Sequence, residues 1–474
     1  MKKILSNKLI LFIFIFIFGN ILSIYMFPPS FNPDGICQLC YDYKIYSNKY
    51  FLEAGRLLLV FIWHLLEIIK LDHNVLSVLS VILSNLFLSL SVITVYNSFK
   101  KYINEDYHLL LLLSSLLIIY NPFIQEIFIF EESFLMCLAI YLTILASLKC
   151  FNKDYVLSII LLLVVSNLYQ GALCYFPPFV MMLSFVSNSN LSVIEYFKKN
   201  KKGILSYILV YVISLVLSYI SLILISNIFN LNKHIGNIDL YSNVFLSISY
   251  LIKTITNMFN QYDGIIYLLS IFFIITILYL LTTKNNKIYS LAYVTLMILI
   301  CMFIPLLPNL VMKKGTFYLF PRMILPYGSL LGFISIFILL YKNEIKNSKN
   351  YLLSFFSIIL VLNSIYIVIN NKHFYDTYKE NTKVVNNIKN SIDDYELRTN
   401  NKVKIVYYKI KNEGNINFID NTFNENKRKI YEDDSWVLNC ALNNKYIVES
   451  KDDINTGNYL FFEDDSLYID FTKK

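Results

Sequence analysis

Residues 75–97 read VLSVLSVILSNLFLSLSVITVYN, a run without a single charged side chain. A helix of about 20 such residues crosses the roughly 30 Å hydrocarbon core of a bilayer. Similar runs recur along the 474 residues, of which 56% are hydrophobic and 16% are charged. Soluble proteins carry about 25% charged residues. The composition therefore predicts an all-α polytopic membrane protein.

The apolar runs predict eleven transmembrane helices. They cover residues 9–26, 75–97, 108–122, 133–148, 155–167, 171–187, 204–229, 264–282, 288–306, 321–341 and 351–370. The first run is expected to be a retained span, because no small-residue cleavage site of the A-x-A kind follows it.

The distribution of positive charge predicts the orientation in the plasma membrane. With a cytoplasmic N-terminus, the inner segments carry most of the Lys and Arg residues before the tail, including Lys100, Lys101 and the run at 198–202. The outer loops carry fewer although they are longer in total, as the positive-inside rule requires. The loop at 31–56 and the tail after residue 370 are then extracytoplasmic. The net charge of +8 follows this topology, and no nucleic-acid partner is expected.

Residues 51–71, FLEAGRLLLVFIWHLLEIIKL, resemble a further span but would invert every later loop against the charge bias. Within them Glu53, Arg56, His64 and Glu67 follow helical spacings that place four polar side chains on one stripe. We predict an amphipathic helix lying in the outer interface. The alternative is a tilted, buried span with internally paired charges.

The composition changes after Asn371, where Lys, Asn, Asp and Glu become frequent. We predict a membrane domain over residues 1–370 and a small extracytoplasmic α/β domain over 371–474. Its expected elements are a helix at 374–397 and strands at 402–410, 445–449, 459–463 and 467–471.

The first outer loop, FNPDGICQLCYDYKIYSNKYFLEAGR at 31–56, offers candidate catalytic residues. Asp34 or Asp42 has the chemistry of a general base that takes the proton of an attacking sugar hydroxyl in an inverting transfer. Placing charged side chains beside a bilayer costs free energy, so such residues often have a function. Arg56 could bind a lipid phosphate through two parallel hydrogen bonds. The simpler interpretation is that the acids are solvated loop residues.

Further polar residues occur at the outer ends of later spans. The segment NPFIQEIFIFEES at 121–133 contains Glu131 and Glu132, and Tyr169-Gln170 lies at a helix end. With Glu53, these residues are candidates to bind the sugar or the acceptor. Arg322 is either a snorkelling anchor or a second phosphate contact. Tyrosine is common at membrane interfaces, and the acids could merely mark the start of a span.

Several motifs and residue types that are missing or rare in the sequence argue against particular functions. The sequence has no Walker A motif, no G-x-G-x-x-G and no HExxH, which argues against nucleotide hydrolysis and a soluble-type nucleotide-sugar pocket. Ionisable residues are few within the spans, which argues against an ion-coupled transporter. Cys37 and Cys40 form a C-x-x-C without a second ligand pair, so a local disulfide or two free thiols is expected rather than a zinc site.

Four features occur together in order along residues 1–341. They are the acidic first loop closing in Glu53-Ala-Gly-Arg56, Asn121-Pro122 followed by Glu131-Glu132-Ser133, Leu168-Tyr169-Gln170, and Pro321-Arg322. On these motifs the chain resembles the Gtr-type polytopic glucosyltransferases, the type-two family known from O-antigen glucosylation, within the GT-C class. The tail after residue 371 resembles nothing known to us.

The resemblance implies a helix bundle of the GT-C type. It also implies an enzyme that transfers a hexose, expected to be glucose, from a polyprenyl-phosphate donor to a cell-envelope glycan. It implies a first-loop base, Asp34 or Asp42. It implies no cofactor and neither requires nor forbids a divalent metal. The family tends to have Asp where this chain has Glu131 or Glu132. A lipid-linked glycan flippase and a polysaccharide polymerase or ligase are the alternatives left open.

Overall fold

The computed structural model describes residues 7–27, 43–189, 191–230, 241–249, 252, 287–307, 322, 325–340, 349–410, 430, 438, 441–442, 445–451, 453–454 and 457–473. The eleven α-helices of 12 or more residues that lie in this part are numbered here in chain order, while a short helix at Tyr43–Tyr46 is left unnumbered. They are α1 (Lys8–Leu22), α2 (Leu57–Ile69), α3 (His73–Lys100), α4 (His108–Ile119), α5 (Ser133–Phe151), α6 (Tyr155–Leu168), α7 (Phe176–Ser187), α8 (Val193–Phe229), α9 (Lys287–Phe303), α10 (Leu325–Leu340) and α11 (Lys349–Thr399). Short 3₁₀ turns at Pro122–Ile129 and Gln170–Tyr175 precede α5 and α7.

The helices are those of a membrane protein, but the prediction of eleven spans is wrong for the described residues. Five stretches there are long and apolar enough to cross a bilayer: His73–Lys100, Ser133–Phe151, Gln170–Ser187, Ile194–Phe229 and Leu352–Thr399. Helices α1, α2, α6 and α10 have 13 to 16 residues. At 1.5 Å per residue they extend only about 20–24 Å. The span predicted at 264–282 lies outside the described residues.

Small and hydroxylated residues allow the central helices to pack closely. A Cβ at Gly332 of α10 would lie 2.6 Å from the carbonyl oxygen of Ser114 in α4, so only glycine fits at this crossing. Ser84 of α3 donates to Ser133 of α5 over 3.0 Å. Such contacts replace the hydrophobic driving force that helices lack within lipid.

The predicted interface helix at 51–71 is shorter than expected. Helix α2 begins at Leu57, with Arg56 at its N-cap, whereas Glu53 lies in the preceding turn. The prediction that four polar residues form one helical stripe is therefore wrong, because of these four only His64 and Glu67 lie in the helix. The cause is Gly55, whose φ of +72° is left-handed backbone that a helix does not contain.

Helix α11 overturns the helix boundary that we predicted after residue 370. It runs for 51 residues without Pro or Gly, so nothing in the sequence stops it where the composition becomes polar. The separate helix predicted at 374–397 is the second half of α11. The Asn371 side chain donates to the Leu22 carbonyl oxygen over 2.8 Å and so joins α11 to the end of α1.

A four-stranded sheet follows α11 and confirms the strands predicted in the tail. Its strands are β1 (Ile405–Lys409), β2 (Ile447–Ser450), β3 (Leu460–Glu463) and β4 (Ser466–Asp470), in the order β2-β1-β4-β3. Strand β1 is parallel to β2 and β4, and β3 is antiparallel to β4. Tyr395 of α11 stacks on Phe462 of β3, with ring centroids 4.4 Å apart, so the long helix packs directly on the sheet.

Candidate functional site

The turn before α2 determines where Arg56 lies. Gly55 supplies the left-handed residue of this turn, and a Cβ there would also lie 2.7 Å from a methyl carbon of Leu222 in α8. A larger residue would therefore meet both backbone strain and a clash. The turn delivers Arg56 to the first position before α2, at one end of the helix bundle.

The Arg56 guanidinium is held in one orientation by its neighbours. Its Nε donates to Gln170 Oε1 over 2.8 Å, and Gln170 Nε2 donates to the Ala54 carbonyl oxygen over 2.8 Å. A guanidinium can only donate and a carbonyl can only accept, so these partners fix which way the amide points. The Arg56 Cζ also lies 5.7 Å from the centroid of the Tyr169 ring, a cation–π distance.

The same guanidinium has two further donor groups, its terminal nitrogens. Within the part of the chain that the structure describes, the two terminal nitrogens of Arg56 form no hydrogen bond. Two parallel N–H donors of this kind match the oxygens of a phosphate or a carboxylate. The arrangement can therefore bind an oxyanion without reorganising.

Tyr169 joins Arg56 to the second arginine. Its ring is buried, at 3% exposure, and its hydroxyl donates to the Arg322 carbonyl oxygen over 2.7 Å. Burial raises the pKa of Tyr169, so the hydroxyl stays a donor. A Cβ at Gly171 would lie 2.6 Å from the Tyr169 ring. Glycine at 171 is what leaves room for the ring.

Arg322 is neutralised within the protein. Its backbone N–H and its Nη1 each donate to a carboxylate oxygen of Glu126 over 2.8 Å, and its Cζ lies 4.7 Å from the Phe130 ring centroid. The two side chains of the ion pair are 15% and 6% exposed. This pair fixes Arg322 within the protein. Both roles that the sequence offered, a snorkelling anchor and a contact with a donor phosphate, stay predictions. Sequence reasoning did not pair Arg322 with Glu126.

A second pair lies where the segment 122–132 meets α3. His73 Nδ1 is 2.9 and 3.0 Å from the two carboxylate oxygens of Glu131. The His73 ring stacks on Tyr43, with centroids 4.2 Å apart, and Ser80 donates to the Glu131 carbonyl oxygen. Burial raises the pKa of Glu131, while the hydrogen bond and charge of His73 oppose that rise. We did not predict His73 from sequence; its signal is the Asp72-His73 dipeptide that begins a span.

The two clusters share one structural segment. Arg322 reaches Glu126 and the Phe130 ring, and Phe130 immediately precedes Glu131. We call the set Arg56, Gln170, Tyr169, Arg322, Glu126, Glu131 and His73 the polar rim. It brings together predicted residues from four separate parts of the sequence.

The remaining predicted residues divide into two groups. Glu132 is buried, at 3% exposure, directly before α5, and Glu53 is half-buried in the turn before Arg56; both lie beside the polar rim. Asp34 and Asp42, with Cys37 and Cys40, lie outside the described residues, so the general base stays a prediction. In the described ranges no group of three or more His, Cys, Asp or Glu side chains is placed to hold a metal ion. Metal-independent transfer also stays a prediction.

Comparison with known families gives a match over most of the helical part of the chain. The model of the family described as glucosyl transferase GtrII matches residues 41–339, more than half of the chain. The match includes every member of the polar rim and Asp42, whereas Asp34 and the tail with its sheet lie outside it. No curated protein matches the chain.

Proposed function

The chain belongs to the glucosyl transferase GtrII family and is a glycosyltransferase with membrane-type helices, and from that premise we propose that it moves glucose from a polyprenyl-phosphate donor to a glycan of the cell envelope. The observation that supports this most is the Arg56 guanidinium, which Gln170 and Tyr169 hold while its terminal nitrogens form no hydrogen bond within the described residues. We place the reaction on the outer face of the plasma membrane, in a GT-C arrangement with the N-terminus in the cytoplasm. The tail sheet is then extracytoplasmic.

Arg56 binds the donor phosphate in this proposal. A polyprenyl tail occupies the bilayer and leaves its phosphate at the interface, the level at which helix ends meet water. When the bond between the sugar C1 and the phosphate oxygen breaks, its electron pair passes to that oxygen. A preorganised guanidinium stabilises the charge that develops there. Arg322 would give weaker support, because Glu126 already offsets its charge.

The acceptor hydroxyl attacks C1 from the opposite side in the same proposal, so that the anomeric configuration inverts. Its proton passes to a first-loop carboxylate, Asp42 or Asp34. We place Asp42 first because it falls within the residues that match the family and Asp34 does not. Glu53, Glu131, Glu132 and Gln170 would line the sugar and acceptor sites. No cofactor is needed for these steps, since arginine can neutralise a phosphate leaving group.

The proposal is tested with purified protein in liposomes that contain synthetic polyprenyl-phosphate [¹⁴C]glucose. Envelope polysaccharide from a strain lacking the protein is the acceptor, and transferred label and the added hexose mass are measured. We expect transfer by the wild type, a loss of at least about 100-fold in Asp42→Asn or Asp34→Asn, and no change in the exposed control Asp394→Asn.

Three outcomes would contradict the proposal. Transfer of a whole oligosaccharide block would indicate a polymerase or ligase. Movement of the lipid-linked sugar between leaflets without transfer would indicate a flippase. Full activity in both single aspartate variants and in the double variant would reject the first-loop base.

A further inference from the structure

The pair formed by Glu131 and His73 fixes the hydrogen on the imidazole. An ionised carboxylate only accepts hydrogen bonds, and both oxygens of Glu131 face His73 Nδ1 at 2.9 and 3.0 Å. Nδ1 therefore carries a hydrogen, and in the corresponding neutral tautomer the lone pair is at Nε2.

The surroundings of His73 restrict the position of its ring. The His73 ring stacks on Tyr43 at 4.2 Å and 27°, and the Tyr43 hydroxyl donates to the Leu71 carbonyl oxygen over 2.9 Å. The side chain of His73 is 24% exposed and that of Glu131 is 6% exposed, so the imidazole is the more accessible of the two groups. In the described ranges, Nε2 of His73 forms no hydrogen bond.

The charges around the pair select what can bind there. Asp72 caps α3, accepting from the N–H groups of Asn74 and Val75, and these bonds lower its pKa. Asp72 and Glu131 act on the same cluster, as does Glu67 through Tyr43. Three carboxylates disfavour an anionic phosphate at this position. A neutral sugar hydroxyl can donate to Nε2 without that penalty.

We propose that His73 is a contact residue for the acceptor glycan, with its Nε2 accepting a hydrogen bond from a hydroxyl next to the one that attacks the donor. The inference rests on the proposed function and adds an acceptor subsite to it. Arg56 binds the donor phosphate at one end of the polar rim, and His73 orients the acceptor sugar at the other. Glu131 is a positioning residue that acts through His73.

The test uses two substitutions that retain different halves of the imidazole. An asparagine amide reaches the position of Nδ1 and retains the bond to Glu131, whereas a glutamine amide reaches the position of Nε2. For His73→Asn we expect the KM for envelope polysaccharide to rise roughly 10-fold with the KM for polyprenyl-phosphate glucose unchanged. For His73→Gln we expect a smaller rise. A purely structural role for the pair predicts the opposite order.

A second histidine provides the control. His108→Asn is the matched control and should leave both KM values unchanged, since His108 begins α4 at the far end of α3 and lies against the Ile103 carbonyl and the Tyr96 ring. Thermal unfolding in detergent shows that each variant is folded.

The outcomes separate this inference from the proposed function. If the wild type transfers glucose and His73→Asn has an unchanged acceptor KM, the acceptor subsite is wrong while the function stands. A collapse of kcat with unchanged KM would also reject it, because His73 would then act on the reacting hydroxyl itself. If the wild type transfers nothing from the lipid donor, the proposed function fails first.

Discussion

Arg56 and Arg322 carry the same charge, lie at the same end of the bundle and share Tyr169, yet their surroundings differ. Arg56 is held by a neutral amide through Nε and retains two free terminal nitrogens within the described residues. Arg322 donates to the Glu126 carboxylate from both its backbone and its guanidinium. A guanidinium held by neutral groups keeps its full charge for a ligand. One that is paired with a buried carboxylate is already neutralised, and the pair contributes to the structure instead. The sequence offered a phosphate-binding role to both.

The largest expected effect is the difference in activity between Arg56→Gln and Arg322→Gln. Removing the open guanidinium removes charge stabilisation of the leaving phosphate, a loss of roughly 100- to 1,000-fold in kcat/KM for the lipid donor. For Arg322→Gln in folded protein we expect less than about 10-fold. Initial rates with labelled polyprenyl-phosphate glucose measure both.

Arg398→Gln is the matched control, since Arg398 is exposed at the end of α11 and outside the family match. Equal losses in the Arg56 and Arg322 variants would contradict the distinction between a ligand-binding and a structural arginine.

The next effect is on stability. Glu126→Gln leaves the Arg322 guanidinium, 15% exposed, without its carboxylate, and breaking such a buried pair costs about 3 kcal/mol or more. The double variant Glu126→Gln with Arg322→Met should recover part of that loss, because it removes the uncompensated charge. Unfolding midpoints in detergent measure both. A single variant as stable as the wild type would show that the ion pair is not structural.

The contrast between the arginines also shows what the sequence could reveal. Apolar periodicity located most helices, and the alternating strands of the tail were correct because short β-branched and aromatic runs specify them well. The order of the motifs, with one-sided placement of polar residues, identified Arg56, Tyr169, Gln170 and Arg322 as neighbours at one end.

Pairing is what the sequence could not reveal. Glu126 and Arg322 are 196 residues apart, and His73 meets Glu131 only because α3 and the segment 122–132 pack together. The predicted helix boundary after residue 370 was wrong for a different reason. The boundary in α11 was assigned from polarity, but a change in polarity alone does not end a helix, and α11 contains no Gly or Pro at that point.

A smaller effect is expected from Gln170→Leu. Leucine fills the space but neither accepts from Arg56 Nε nor donates to the Ala54 carbonyl. The charge of Arg56 is retained and only its orientation is lost, so we expect a rise of about 10-fold or less in the KM for the lipid donor. Gln170→Glu is the instructive comparison. It would pair Arg56 with a carboxylate, as Glu126 pairs Arg322, and should reduce donor binding more than leucine does.

The smallest effect is expected from Tyr169→Phe, which removes the contact between Tyr169 and Arg322 but keeps the contact between the ring and Arg56. The ring stays beneath the Arg56 guanidinium, but the 2.7 Å hydrogen bond to the Arg322 carbonyl oxygen is lost, at a cost of about 1 kcal/mol of stability. Donor KM should stay within about 2-fold of the wild type, because the cation–π contact needs only the ring. Tyr169→Leu removes both contacts and should raise the donor KM as well. If phenylalanine and leucine weaken donor binding equally, the hydroxyl rather than the ring positions Arg56, and the two arginines act as one unit.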